Sequence, residues 1–320
     1  MKILVTGVAG AIGSHVAEYF ASLGHEVIGV DILTPYYDRA IKEINLADVV
    51  ASGVKVHLCD LAEDDLTHFM SGVDIVLHFA AQPGISVTTP FEDYVRNNIT
   101  ATHRLLEASR KDLGLKGFVH ISTSSIYGAR ADGDETTEPK PTSYYGVTKL
   151  AAEQLALSYH REMGLPVTVL RLFSVYGPRE RPEKLYHKLI KSILEDKDFP
   201  IHEGSEHHVR SYTNIEDIIQ ACDLVVKNIE LVNGEIFNIG NDQTVTTGEG
   251  IKVIERLIGK PARLIIVPRR HGDQAETSAR IEKARRILGY APRVGIEEGL
   301  AKQIAWYREK LHNKLPRKEV

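Results

Sequence analysis

The stretch ILVTGVAGAIGSH, residues 3–15, decides the fold because it joins an apolar run to a helical segment through a glycine-rich turn. Its glycines, Gly7, Gly10 and Gly13, stand where such a turn would connect a strand to a helix. A glycine turn in that position lets backbone N–H groups approach a phosphate, with the positive end of the helix dipole behind them. The stretch therefore predicts the phosphate-binding turn of a dinucleotide-binding unit.

The composition is that of an ordinary globular protein. The chain has 320 residues, of which 43% are hydrophobic and 26% charged, and its net charge is −4. A negative chain of this kind is not expected to bind nucleic acid or a membrane surface. The run MKILVTG breaks at glycine too early for a signal peptide, so we expect a cytoplasmic protein. Cys59 and Cys222 have no metal or redox spacing and are expected to be reduced core residues.

The first half of the chain alternates apolar runs with segments of helical periodicity. Strands interleaved with helices form a parallel sheet that helices cover on both faces. We therefore expect an α/β protein, a Rossmann-type doubly wound parallel sheet with a smaller C-terminal α/β substrate lobe. The apolar runs are KILVTG, EVIGVD, KVHLCD, DIVLHFAA, GFVHIS and PVTVLRL.

The second predicted strand, EVIGVD, ends in Asp31, about 20 residues after the glycines. A carboxylate in this position accepts hydrogen bonds from the adenosine ribose hydroxyls of a dinucleotide and repels a 2′-phosphate. We therefore expect NAD rather than NADP as the cofactor. The alternative for these residues is a structural glycine turn followed by a solvated aspartate.

The glycine spacing is GxxGxxG, and with it the chain resembles the extended short-chain dehydrogenase/reductase family over nearly its whole length. Further matching segments are CDL at 59–61, HFAA at 78–81 and NNITAT at 97–102. The resemblance implies an NAD-dependent nucleotide-sugar epimerase or dehydratase. It also implies that the cofactor is bound by Gly7, Gly10, Ala11, Ile12, Gly13, Asp31, Asp60, Leu61, Phe79, Ala80, Ala81, Asn98, Tyr145 and Lys149.

The segment SYYGVTK places Tyr145 and Lys149 at positions i and i+4, on one face of a helix. An exposed helical pair would explain this pattern equally well when it is taken alone. In the family that the chain resembles, the pair is catalytic. The lysine ammonium group and the nicotinamide cation both favour the phenolate and so lower the pKa of the tyrosine. Tyr145 would then remove a sugar hydroxyl proton as a hydride leaves the same carbon for NAD.

Four hydroxyl residues, Ser122 to Ser125, follow the predicted strand GFVHI. The resemblance implies that Thr123 shares the substrate hydroxyl with Tyr145. Sugar-nucleotide 4,6-dehydratases carry Asp and Glu at the next two positions, and UDP-glucuronate decarboxylases carry Glu at the second. Ser124 and Ser125 cannot act as carboxylate bases, so epimerisation is favoured over elimination and decarboxylation. The alternative is that these serines bind water or cap the following turn.

UDP-glucuronate 4-epimerases resemble the chain further, through Tyr-Tyr-Asp at 36–38, Gln82 and Gly84, and Ser174 before VYGP. The chain departs from them at Ser86, where they commonly have Arg. The residues implied to hold the uronate are Thr123, Ser124, Ser125, Tyr145 and Ser174, with Arg181 closing over the site.

The resemblance also implies how the UDP group is bound. Arg210 and Arg270 would bind the diphosphate, and Asp273 would bind the uridine ribose. The planar fork of arginine suits phosphate oxygens, although solvated surface arginines are the alternative. His202, His207 and His208 lack regular spacing and a carboxylate partner, so no metal site is expected.

The expected reaction is 4-epimerisation of UDP-glucuronate to UDP-galacturonate through a transient 4-keto intermediate. The alternatives are a UDP-glucose or UDP-N-acetylhexosamine 4-epimerase, a related nucleotide-sugar dehydratase, and a non-catalytic NAD-sensing protein. We expect residues 1–175 to form the NAD-binding domain, together with 209–250, and residues 176–208 and 251–320 to form the nucleotide-sugar-binding lobe. Helices near 97–109 and 144–163 form a dimer interface in relatives, so a homodimer is expected.

Overall fold

The computed structural model describes residues 1–86, 88–112, 114–268 and 276–312. Its strands are β1 (Lys2–Thr6), β2 (Glu26–Asp31), β3 (Lys55–Leu58), β4 (Ile75–His78), β5 (Gly117–Thr123), β6 (Arg130–Ala131), β7 (Val167–Leu172), β8 (Val175–Tyr176), β9 (Asp198–His202), β10 (Val209–Arg210), β11 (Thr213–Asn214), β12 (Ile236–Ile239), β13 (Val245–Thr246), β14 (Arg263–Val267) and β15 (Glu276–Thr277).

The α-helices are α1 (Ala11–Ser22), α2 (Arg39–Ala51), α3 (Thr67–Met70), α4 (Phe91–Tyr94), α5 (Ala101–Ser109), α6 (Tyr144–Met163), α7 (Leu185–Leu194), α8 (Ile215–Lys227), α9 (Thr247–Ile258), α10 (Glu282–Leu288) and α11 (Ile296–Tyr307). Short 3-10 helices lie at Ser124–Tyr127 and Ser205–His207, and π-helical turns at Val95–Thr100 and Arg308–His312. None of the helices in the described ranges has the length and apolar character needed to span a membrane.

Seven parallel strands form the central sheet, in the order β12-β7-β5-β4-β1-β2-β3. The six apolar runs that the sequence predicts as strands become β1, β2, β3, β4, β5 and β7. The expected Rossmann-type fold is therefore confirmed. Because the order reverses beside β1, the carboxyl ends of β1, β4 and β5 border the crevice in which such sheets bind ligands.

Two apolar layers cover the faces of this sheet. On one face, Val16 and Phe20 of α1 pack with Ile218 and Cys222 of α8. On the other face, residues of α5 and α6 such as Leu105 pack against β4 and β5. Strands β5 and β7 are buried along their whole length, which is why their sequences are nearly continuous apolar runs.

A third apolar cluster, separate from these two layers, joins helices α7, α9 and α11. Tyr186 and Leu189 of α7 pack against Ile254 of α9 and against Leu300 and Ile304 of α11. Strand β9 pairs in parallel with β14 beside these helices. This cluster supports the loop between β8 and α7, which borders the crevice of the central sheet.

Candidate active site

The turn between β1 and α1 has no space for a side chain at Gly7 or Gly13. Gly7 has a φ of +71°, and a Cβ added there would lie 2.8 Å from the backbone nitrogen of Ala80. A Cβ added at Gly13 would lie 2.3 Å from the carbonyl oxygen of Gly7. Helix α1 begins after Gly10, which provides no side-chain cap. Its first N–H groups and the positive end of its dipole therefore fit a dinucleotide pyrophosphate.

Two backbone amides orient the carboxylate of Asp31 at the end of β2. Ala9 N donates to Oδ2 at 3.0 Å, and Leu33 N donates to Oδ1 at 2.8 Å. Each carboxylate oxygen can accept a further hydrogen bond. Asp31 lines the same cavity as the glycine turn, so it fits the ribose hydroxyls of an adenosine group.

A cavity of about 500 Å³ runs along the carboxyl ends of the central strands. It brings together residues from the glycine turn, from the ends of β2, β4, β5 and β7, from α6 and from the loop after β8. The predicted site residues in its lining are Gly7, Gly10, Ala11, Ile12, Gly13, Asp31, Asp60, Leu61, Phe79, Ala80, Ala81, Thr123, Ser124, Ser125, Tyr145, Lys149, Ser174 and Arg181.

Asn98 lies outside this lining, although the resemblance implies that it binds the cofactor. Its amide oxygen accepts from Gln82 N at 2.7 Å, and its Nδ2 donates to Gln82 O at 3.2 Å and to Thr148 Oγ1 at 3.0 Å. Asn98 therefore ties the loop after β4 to helix α6. Its neighbour Asn97, on the same π-helical turn, lines the cavity instead.

Of the three residues predicted to hold the UDP group, Arg210 is described and does not line this cavity. Arg210 lies on β10, where its Nη1 donates to the carbonyl of Val209 at 3.0 Å. Arg270 and Asp273 lie outside the described residues. No group of three or more His, Cys, Asp or Glu side chains in the described ranges could hold a metal ion.

Tyr145 and Thr123 meet at the cavity wall. Helix α6 begins after Ser143, whose Oγ accepts from Gly146 N at 3.1 Å, and this cap places Tyr145 in the first turn. Burial raises the pKa of Tyr145. The charge of Arg181 lowers it, and a hydrogen bond with Thr123 lowers it to a smaller extent. The sequence assigns the pKa-lowering charge to Lys149, whereas the guanidinium of Arg181 is the stronger such influence here.

Lys149 lies one turn along α6 and is buried, with part of its side chain lining the cavity. Burial lowers its pKa to about 8, and the carboxylate of Glu153 raises it. Glu153 is itself fully buried and accepts hydrogen bonds from Ser122 Oγ at 2.6 Å and from Arg171 Nη2 at 2.6 Å. The sequence analysis missed Glu153 and Arg171. A carboxylate at the i+4 position from Lys149 was a signal for Glu153, but nothing in the sequence links Arg171 to it.

The hydroxyl residues after β5 have separate roles. Ser122 donates to the buried carboxylate of Glu153, so its hydroxyl is used inside the protein. Thr123 caps the following 3-10 helix by accepting from Ser125 N at 3.2 Å. The turn-capping alternative therefore applies to Thr123, which nevertheless lines the cavity beside Tyr145. Ser124 and Ser125 also line the cavity and supply no carboxylate there.

Arg181 lies where three loops converge. A Cβ added at Gly84, in the loop after β4, would lie 3.6 Å from Arg181 Nη1 and 2.9 Å from the hydroxyl of Tyr36. Arg181 Nη1 is also 3.0 Å from Oε1 of Glu183. Two residues earlier, Arg179 has a φ of 64°. It forms an ion pair with Glu18 of α1, the helix that follows the glycine turn.

The chain is similar to known proteins over nearly its whole length. Residues 3–240 match the model of the NAD dependent epimerase/dehydratase family. A protein of Bacillus subtilis named an uncharacterized UDP-glucose epimerase, YtcB, is 37% identical, and the match covers 96% of this chain and 98% of that protein. The UDP-glucuronate 4-epimerase of Thermodesulfobacterium geofontis is 35% identical, with 96% of each chain covered.

A solved structure has a closely similar backbone. The crystal structure of the UDP-glucuronic acid 4-epimerase of Bacillus cereus in complex with UDP-glucuronic acid and NAD has a TM-score of 0.92. The two sequences are 36% identical, and the superposition covers 97% of this chain and 99% of that chain.

Proposed function

Because the chain belongs to the NAD-dependent epimerase/dehydratase family, we propose that it interconverts UDP-glucuronate and UDP-galacturonate by epimerisation at C4. NAD is the cofactor of this family, and the glycine turn and Asp31 fit it. Bound NAD takes a hydride from C4 of the sugar and returns it to the opposite face, so that it is regenerated in each turnover.

The observation that carries the proposal is the convergence of Tyr145, Thr123, Ser124, Ser125 and Ser174 on one cavity. Tyr145 is proposed to remove the proton of the 4-hydroxyl and to return it when the configuration has been inverted. Thr123, which hydrogen-bonds Tyr145, orients that hydroxyl. Lys149, buried at the cavity wall, contacts the cofactor and supports the phenolate by its charge.

The hydroxyl groups of this cavity suit a uronate substrate. Oxidation at C4 of glucuronate gives a β-keto acid, which loses carbon dioxide when its C5–C6 bond lies perpendicular to the carbonyl plane. An epimerase must hold the carboxylate away from that geometry. Ser124, Ser125 and Ser174 can donate hydrogen bonds to the carboxylate without supplying a carboxylate base for elimination.

Two relatives support this substrate. The protein of Thermodesulfobacterium geofontis carries the name UDP-glucuronate 4-epimerase, and the Bacillus cereus structure contains UDP-glucuronic acid with NAD. The second candidate is epimerisation of UDP-glucose, because the Bacillus subtilis relative is named for that sugar.

Several finer points belong to the same proposal. We propose that Arg210, Arg270 and Asp273 hold the UDP group, and that the enzyme is a cytoplasmic homodimer. We also propose the division into a cofactor domain, residues 1–175 with 209–250, and a nucleotide-sugar lobe, residues 176–208 with 251–320.

The deciding experiment incubates the purified protein separately with UDP-glucuronate and with UDP-glucose and follows each by NMR. We expect UDP-galacturonate from the first, without an alkene and without loss of carbon dioxide. Conversion of UDP-glucose alone would support the second candidate. An alkene or a pentose product would contradict epimerisation of either sugar.

A further inference from the structure

The loop between β8 and α7 carries two cations that line the cavity, Arg181 and Lys184. The resemblance draws attention only to Arg181. Each forms an ion pair with a carboxylate of the same loop, and the two pairs differ in the distance between the charged groups.

Arg181 has a close carboxylate partner. Its Nη1 lies 3.0 Å from the carboxylate of Glu183 on the same loop, in an ion pair without a hydrogen bond. An anionic substrate group would have to share this guanidinium with Glu183. The positive potential that Arg181 contributes to the cavity is reduced accordingly.

Lys184 has a more distant carboxylate partner. Its Nζ donates to the carbonyl of Val175 at 2.7 Å and forms an ion pair with Oε1 of Glu180 at 3.8 Å. The ammonium has three N–H groups, and the short contact with Val175 uses one of them.

The carboxylate of Glu180 is engaged elsewhere. Its Oε2 accepts from His187 N at 3.0 Å, in the first turn of α7, and from Gln303 Nε2 at 2.7 Å. These bonds satisfy the helix terminus and orient the carboxylate toward α7 and α11. Burial lowers the pKa of Lys184, a cost that a further anionic partner would offset.

The hydrogen bond to Val175 also determines where the ammonium lies. Val175 directly follows Ser174, one of the hydroxyl residues proposed to hold the uronate, and both line the cavity. Lys184 is therefore held next to the proposed carboxylate position, where the N–H groups that do not bind Val175 can donate to the carboxylate.

We propose that Lys184 is a specificity residue whose ammonium group pairs with the carboxylate of the sugar and favours UDP-glucuronate over UDP-glucose. This inference rests on the proposed function, because it requires a uronate in the cavity. The two UDP-sugars differ at C6 and share the diphosphate, so their comparison isolates the carboxylate.

The test measures binding by calorimetry to the NAD-loaded protein in a Tyr145→Phe background, where turnover is expected to be slowed by about 10²–10⁴-fold. We expect Lys184→Met to weaken binding of UDP-glucuronate by about tenfold to hundredfold, because a charge-assisted hydrogen bond is lost. Binding of UDP-glucose should change by less than about threefold. Lys184→Arg should restore most of the affinity for UDP-glucuronate. Lys188→Met, at an exposed lysine of the helix that follows this loop, should change the binding of neither sugar.

Equal weakening for both sugars would overturn the proposal, because Lys184 would then serve the diphosphate or only the local fold. Unchanged binding of UDP-glucuronate in Lys184→Met would also overturn it. Failure of the proposed function has a different signature: the wild-type enzyme would produce no UDP-galacturonate from UDP-glucuronate, whatever the variants bind.

Discussion

At the scale of single residues, Tyr145 depends on neighbours that come from other parts of the chain. Its phenol lies beside Thr123 of β5, and the charge that most favours its ionised form belongs to Arg181 on the loop after β8. Burial acts in the opposite direction and raises its pKa. The reactivity of this tyrosine therefore depends on distant residues being held at the cavity.

Replacing Tyr145 by Phe removes the proposed base and leaves the ring in place. We expect kcat to fall by about 10²–10⁴-fold, the usual contribution of general acid–base catalysis, while NAD stays bound. Tyr144→Phe is the matched control, because Tyr144 is exposed at the preceding position, and this variant should leave kcat unchanged. Steady-state rates with UDP-glucuronate provide the measurement, and equal rates in the two variants would rule out the mechanism.

Asp31 is expected to hold the cofactor. Asp31→Asn keeps the shape of the side chain and removes its charge, so the bonds from ribose hydroxyls to the carboxylate weaken. We expect NAD to bind about tenfold to hundredfold more weakly. The control is Asp38→Asn, at an exposed helix cap where Asn and Asp are equivalent. NAD retained after purification can be measured in the denatured supernatant, and equal retention in both variants would contradict this role.

At the scale of secondary-structure elements, a buried ion pair joins α6 to β7 directly beneath the catalytic residues. Glu153 of α6 and Arg171 of β7 are 2.6 Å apart, and Ser122 of β5 donates to the same carboxylate. The other titratable groups near Lys149 are Tyr145 on α6 and the histidines His78 of β4 and His120 of β5, whose pKa values burial lowers. Glu153 is therefore the negative charge that keeps Lys149 protonated.

This arrangement predicts how the rate depends on pH. Lys149 has a lowered pKa of about 8, so its ammonium is present below that pH and is lost as the pH rises through it. In Glu153→Gln combined with Arg171→Met, both members of the Glu153–Arg171 pair are removed together, and the pKa of Lys149 should fall further because its negative neighbour is gone. We expect the alkaline limb of the kcat profile to move to lower pH in this double variant.

Ser122→Ala is the matched control for that measurement, because it removes a hydrogen bond to Glu153 and keeps both charges. Its alkaline limb should stay near that of the wild type. An unshifted limb in a folded double variant would show that Glu153 has no influence on Lys149.

At the scale of the whole molecule, Arg179 connects the loop that carries Arg181 to the cofactor side of the fold. It is buried and lies 2.8 Å from Glu18 of α1 and 3.1 Å from Asp48 of α2. Its backbone φ of 64° is unfavourable for residues other than glycine. The two ion pairs therefore hold a strained loop against the helices that flank the glycine turn.

Arg179→Met should lower the free energy of unfolding by about 1–3 kcal/mol, because it leaves the partly buried carboxylates without this partner. Arg256→Met, which removes an exposed pair with Glu297, should cost less than about 1 kcal/mol. Thermal unfolding of the two variants compares them. A larger loss from the exposed pair would refute this account of the loop.

The proposed homodimer can be tested on the outer surface of α4 and α6. Phe91, Tyr144 and Val147 are large hydrophobic residues that are exposed in the single chain, and the ring centroids of Phe91 and Tyr144 are 5.0 Å apart. Light scattering should give the mass of two chains for the wild type and of one chain for Val147→Arg. Leu231→Arg, an equally apolar and exposed site elsewhere, should remain dimeric. A wild-type mass of one chain would exclude the dimer.

The sequence by itself predicted the Rossmann-type sheet, the glycine turn, the position of Asp31 at the end of β2 and the i, i+4 spacing of Tyr145 and Lys149. These features are local, because hydrophobic periodicity, positive φ angles and an i, i+4 spacing are all properties of neighbouring residues. The tertiary structure decided which distant charges act on them. Arg181 at Tyr145, Arg171 at Glu153 and Lys184 beside Ser174 come from segments far apart in the chain or from a loop without periodicity. Only packing brings such charges together, because electrostatic effects depend on distance and burial in space rather than on separation in sequence.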